Sequence, residues 1–117
     1  MVIPKKSKRL GKSPSHQKAM LRNLAISLFE NGRITTTVTK GKYLRGFVDK
    51  LITFAKKGDL ASRRECLKLI DNTDAVKKLF EEIGPAAYDR TSGFTRIIKY
   101  KNRLGDGAEL VIVELIQ

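Results

Sequence analysis

All of the chain's excess positive charge lies in its first half, and that placement limits how it can fold. Residues 1–58 carry fourteen lysines and arginines against two acids, Glu30 and Asp49, whereas residues 59–117 carry ten of each. The net charge of +12 therefore belongs entirely to the first half. Between Lys5 and Pro14, five cations (Lys5, Lys6, Lys8, Arg9 and Lys12) surround one large apolar side chain, Leu10. Such a stretch buries too little to offset the entropy of ordering it. Residues 1–14 are expected to form an extended basic arm, disordered alone in water and ordered on RNA, and residues 15–117 a single globular domain. A length of 117 residues with 41% apolar content suits one packed core and leaves no room for two.

A surplus so placed calls for a polyanionic partner, and for a small protein that points to nucleic acid. Other classes drop out. The lone cysteine, Cys66, excludes an internal disulfide and a cysteine-based zinc site; it reads as a small, semi-buried hydrophobe. No run approaches the roughly 18 apolar residues of a membrane span. The opening Met-Val-Ile-Pro-Lys-Lys-Ser-Lys-Arg lacks the apolar stretch of a secretory signal, so a cytoplasmic location is expected. Gly11-Lys12-Ser13 has only the tail of a phosphate-binding loop: Lys6 stands where that motif needs glycine, and no strand precedes it. Ser15 and Lys18 match a serine–lysine spacing used in acyl transfer, without its companion motifs. No acid–base constellation stands out, so no catalysis, cofactor, metal or small-molecule substrate is expected.

Periodicity places the elements. Met20, Leu21, Leu24, Ala25 and Leu28 recur at helical spacing, so a first helix runs from a cap at Ser13 or Ser15 to about Glu30, stopped by Asn31-Gly32. A short β-branched strand spans Arg33–Val38. Thr39 is the expected cap of a long helix over Lys40–Lys57, with Gly58 ending it. Asp59 caps a third helix to Ile70, and Asp71-Asn72-Thr73 breaks the chain before a fourth, Asp74–Ile83, ended by Gly84-Pro85. Two strands, Phe94–Tyr100 and Glu109–Ile116, close the chain around a turn at Gly105-Asp106-Gly107. The economical solution is α+β, one three-stranded sheet packed by helices on one side.

The basic residues do not read as a simple solvated face. Lys18 and Arg22 are four apart on the first helix, Arg33 opens a strand, and Lys40, Lys42 and Arg45 crowd a helix start. Cations at a helix start oppose the helix dipole, and a phosphate among them would reverse that penalty. His16, the sole histidine, reads either as a polar helix-start residue or as a phosphate or base contact; the basic surroundings favour the contact.

The segment Ile34-Thr-Thr-Thr-Val-Thr-Lys-Gly-Lys42, followed by Asp49-Lys-Leu-Ile-Thr-Phe-Ala-Lys56, closely resembles the signature of bacterial large-subunit ribosomal protein family seventeen. The likeness continues through Lys8-Arg9-Leu10, Ser15-His16, Ala19-Met20, Arg22-Asn23, Asn72, Leu79-Phe80, Gly84-Pro85, Gly93-Phe94-Thr95-Arg96-Ile97 and Glu114-Leu115. The chain departs from the family pattern at Gly41, where alanine is usual, at Ala86, where a basic residue is usual, and at residues 2–4. The resemblance implies a compact two-layer α+β fold of order α-β-α-α-α-β-β with a three-stranded mixed sheet. It also implies a structural, non-catalytic role in the large (50S) subunit, with large-subunit ribosomal RNA and neighbouring ribosomal proteins as partners. It adds Ser15 and Arg96 to the RNA-binding set. Recognition is expected to rest on RNA shape and backbone, because the arm carries no aromatic side chain for stacking. The competing reading is a non-ribosomal nucleic-acid-binding module of nucleoid or RNA-chaperone type.

Overall fold

The structure is a computed structural model that describes residues 14–90 and 93–116. The expected arm cations Lys5, Lys6, Lys8, Arg9 and Lys12 lie outside the described residues. Helix α1 (Pro14–Asn31) buries Ala25, Leu28 and Phe29. Its end is satisfied from three sides. Gly32, at φ 83°, donates its N–H to the Leu28 carbonyl at 2.7 Å. The Asn31 amide reaches Ser27 O at 3.0 Å, and Lys78 donates to Glu30 O at 3.1 Å. These bonds satisfy carbonyls that the helix itself cannot.

Strand β1 (Arg33–Thr37) then runs directly into helix α2 (Val38–Lys57). The expected cap, Thr39, is instead inside the helix: Thr37 holds the cap position, extended, with no side-chain capping bond. The strand leaves no loop residue to swing a hydroxyl back over the first turn. Helix α2 buries Gly41, Leu44, Val48, Leu51, Ile52 and Ala55, and left-handed Gly58 ends it. Helix α3 (Leu60–Ile70) starts as expected, with the Asp59 carboxylate accepting the Ser62 N–H at 2.8 Å. Asn72 caps helix α4 (Thr73–Lys78) by accepting from Ala75 N at 2.9 Å.

Gly84-Pro85 does not terminate the fourth helix. Helix α4 passes into a π-helical turn, Leu79–Ile83, and a last turn α5, Gly84–Ala86. The Gly84 N–H bonds Leu79 O, five residues back. Gly84 has ordinary helical dihedrals, so glycine is needed there for space rather than for conformation. A Cβ at Gly84 would lie 2.9 Å from the Ala55 Cβ and 3.0 Å from its carbonyl oxygen.

Strands β2 (Thr95–Asn102) and β3 (Glu109–Leu115) form a hairpin, and β1 pairs with the other side of β3, giving the order β1-β3-β2. The sheet is antiparallel, not mixed. Strands β1 and β2 run the same way, but β3 lies between them, so no two parallel strands are neighbours. Ile34, Thr36, Val111, Val113, Thr95 and Ile97 share the face packed by helices. The core gathers there, around Phe29, Leu44, Leu51, Ile52, Phe94 and Val113. A register shift between Lys99 and Lys101 leaves Tyr100 as the extra residue of β2.

Candidate nucleic-acid interface

The start of α2 combines three features that favour an anion. Its first turn holds no acid, its cap makes no side-chain bond, and it carries Lys40 with Lys42 and Arg45 just beyond. The free N–H groups of a first turn and the positive end of the helix dipole already attract anions. Lysines there repel that end unless a phosphate intervenes. At 3.6 residues per turn, Lys42 and Arg45 lie about 60° apart on one side, while Lys40 is about 200° round from Lys42. Lys42 and Arg45 are exposed and Lys40 is half-buried. The three therefore straddle the helix start rather than forming one stripe.

The fold adds a residue that sequence reasoning passed over. Gly41 packs against the sheet so closely that a Cβ there would sit 3.0 Å from Val111 Cγ2. Lys99 is the register partner of Val111 on β2. Directly paired residues point to the same side of a sheet. Lys99 thus projects along the flank where the first turns of α2 pass, exposed and 3.6 Å from Glu109. The only sequence signal was its alternation with Ile97, and it becomes informative once the register is known.

A second cluster forms on the opposite face of the sheet. Arg33, Glu114 and Arg96 lie in one row across the three strands, although Arg33 and Arg96 are far apart in the chain. Arg96 Nε meets Glu114 Oε1 at 2.9 Å, and Arg33 is exposed on the other side of the same carboxylate. The Arg96 side chain is 55% exposed although that of Glu114 is only 20% exposed, so the guanidinium stays open to a phosphate on its solvent side.

Helix α1 divides its expected contacts. Ser15, His16 and Lys18 are exposed on its first turns. Arg22 is half-buried and donates from Nε to the Leu69 carbonyl at the end of α3, at 3.3 Å. It satisfies an unpaired helix-end acceptor, and so does not project with Lys18 as its spacing suggested. Cys66 is fully buried, its thiol 3.9 Å from Leu51 O and its pKa pushed up to about 11 by burial. It stays protonated and packs as a small hydrophobe.

Asp49 is the one acid on α2. Burial raises its carboxyl pKa, opposed by the Phe94 N–H and by the Arg45 guanidinium. One of its oxygens, Oδ1, is buried without a hydrogen-bond partner. A folded pKa above the unfolded value means that its favourable contribution is complete below the unfolded value, near 3.8, and is lost as pH rises through the folded one. Asp49→Asn keeps an acceptor for Phe94 and removes the ionisation. Its melting temperature, relative to the parent, is expected to rise between pH 4 and pH 7. A difference that stays constant or falls over that range would show that ionising Asp49 costs the fold nothing.

The cations of α2, β1 and β2 thus lie on the helix start and on both edge strands of the sheet, while residues after 58 balance ten acids against ten bases. The family model described as ribosomal protein L17 matches residues 20–116, covering both clusters and the core between them. The chain belongs to the ribosomal protein L17 family, structural rRNA-binding proteins of the large subunit of the cytoplasmic ribosome.

Proposed function

We propose that the protein holds large-subunit ribosomal RNA between two basic surfaces joined at the β2 edge. One is the flank formed by Lys40, Lys42, Arg45 and Lys99; the other is the outer row of Arg33 and Arg96. Ser15, His16 and Lys18 at the start of α1 extend the contact toward the arm, where Lys5, Lys6, Lys8, Arg9 and Lys12 neutralise further phosphates. The observation that carries this reading is the opening of α2, with its uncapped first turn, no acid and a cluster of cations. Phosphate there converts a local repulsion into an attraction. Cations dominate both surfaces, with the exposed Tyr100 ring beside Lys101 as a single aromatic at the β2 edge among the described residues there, so recognition rests chiefly on backbone geometry and RNA shape. No step of chemistry is assigned to any residue.

Salt washing of large subunits tests the reading. Bound through many phosphates and an inserted arm, the protein is expected to stay on large subunits through moderate salt and to leave only as counterion competition becomes severe. A nucleoid or RNA-chaperone module would leave at the first wash or never sediment with the subunit. That behaviour would overturn the proposal.

A further inference from the structure

The neutral half of the molecule carries a surface of a different kind. Phe80, Gly84, Pro85 and Tyr88 line a groove of about 400 Å³ against Ala55 and Lys56 of α2. Tyr88 is 71% exposed at its edge, and Leu60, at the start of α3, is 63% exposed. Leu60 lies one turn before Arg63, whose guanidinium sits 5.7 Å from the centre of the Phe80 ring. Gly58 also lines the groove, and Leu60 follows it by two residues in the chain. The absence of a Cβ at Gly84 lets the last helical turn close on α2 and forms its floor.

Charge decides which class of partner fits. Among the described residues lining the groove Lys56 is the one that is charged, and its ammonium is already engaged with the Arg90 carbonyl and lies 5.1 Å from the centre of the Phe94 ring. Next to the lining residues in the chain or in contact with them, the exposed acids Asp59, Glu81 and Asp89 offset Lys57, Arg63 and Arg90. A polyanion gains nothing from such a balance, and its phosphates meet three carboxylates. An apolar side chain gains the burial of Tyr88 and Pro85, at roughly 25 cal/mol per Å² removed from water. An aromatic anchor in an apolar centre with a mixed-charge rim is the anatomy of a protein contact.

We infer that this groove receives a large apolar side chain from a neighbouring protein of the large subunit. The inference rests on assembly into that subunit but not on the RNA contacts proposed above. The test places the photo-crosslinking residue p-benzoylphenylalanine at position 88, at position 60 as a second site close to Gly58 in the chain, and at position 45 as the RNA-facing control. Each chain is assembled into large subunits and irradiated. The expected result is a protein adduct from position 88 or 60, mapped to one neighbouring protein, and an RNA adduct from position 45. RNA adducts alone, or no adduct, from both positions 88 and 60 would overturn the groove inference. A missing RNA adduct at position 45 counts against the RNA reading only.

Discussion

Gly84→Ala is expected to lower the melting temperature by several degrees, and Gly46→Ala to raise it. Both glycines sit in helices, and alanine is intrinsically the better helix former by about 1 kcal/mol at such sites. What differs is the space beside them. At Gly46 a Cβ meets nothing within 4 Å. At Gly84 it meets the Ala55 Cβ at 2.9 Å, the Ala55 carbonyl oxygen at 3.0 Å and its carbonyl carbon at 3.1 Å. Two of those three atoms are backbone, so relief requires α5 to move off α2. Overpacking of this kind costs about 1–3 kcal/mol, which exceeds the propensity gain over most of that range, and 1 kcal/mol is worth several degrees in a domain of this size. Adding Ala55→Gly should restore part of the loss, since it removes the nearest contact and leaves the backbone ones. A Gly84→Ala variant that melts at or above the parent would show that the close approach is not required.

That glycine also marks where the sequence stops being informative. Gly84-Pro85 carries every local sign of a helix stop, yet the helix continues through it because α2 is pressed against its far side. The devices read correctly are those whose cause lies within a few residues. Asp59 bonds the N–H three positions on, and Gly32 and Gly58 each take a left-handed turn that their own helix needs; within the expected break at 71–73, it is Asn72 that caps the next helix. Thr39 failed as a cap because the preceding strand runs straight into the helix, a fact of strand length rather than residue type. Sheet pairing is non-local in the same way. Only the insertion of β3 between β1 and β2 makes every neighbour antiparallel, and only the register puts Arg33 and Arg96 in one row on either side of Glu114 and sets Lys99 beside Val111 under α2. Charge polarity was legible because it needs no fold. The division of cations between RNA-facing positions and structural ones, such as Arg22 on Leu69 O and Lys78 on Glu30 O, was not.

That division sharpens the test of the basic flank. Changing Lys40, Lys42 and Arg45 to glutamine together is expected to weaken binding to large-subunit RNA and flatten its salt dependence. Each lost phosphate contact removes about 0.7–0.9 from the slope of log affinity against log salt, so a loss of up to about 2–3 is expected for three. The fold should change little, since only Lys40 lies in the first turn of α2, where removing a cation relieves about 0.3–1 kcal/mol of dipole repulsion at most. The matched control removes three positive charges from exposed positions in the neutral half: Arg64, Lys68 and Lys77 to glutamine. Lys78 is unsuitable there because its ammonium closes the end of α1. Long-range attraction falls equally in the two triple variants, whereas only the first loses direct contacts. Adding Lys99→Gln to the first triple should take a further step off the slope, and adding it to the control should take the same single step. Equal slopes for the two triples would mean that the RNA responds to total charge, and the flank around α2 would lose its claim to be the interface.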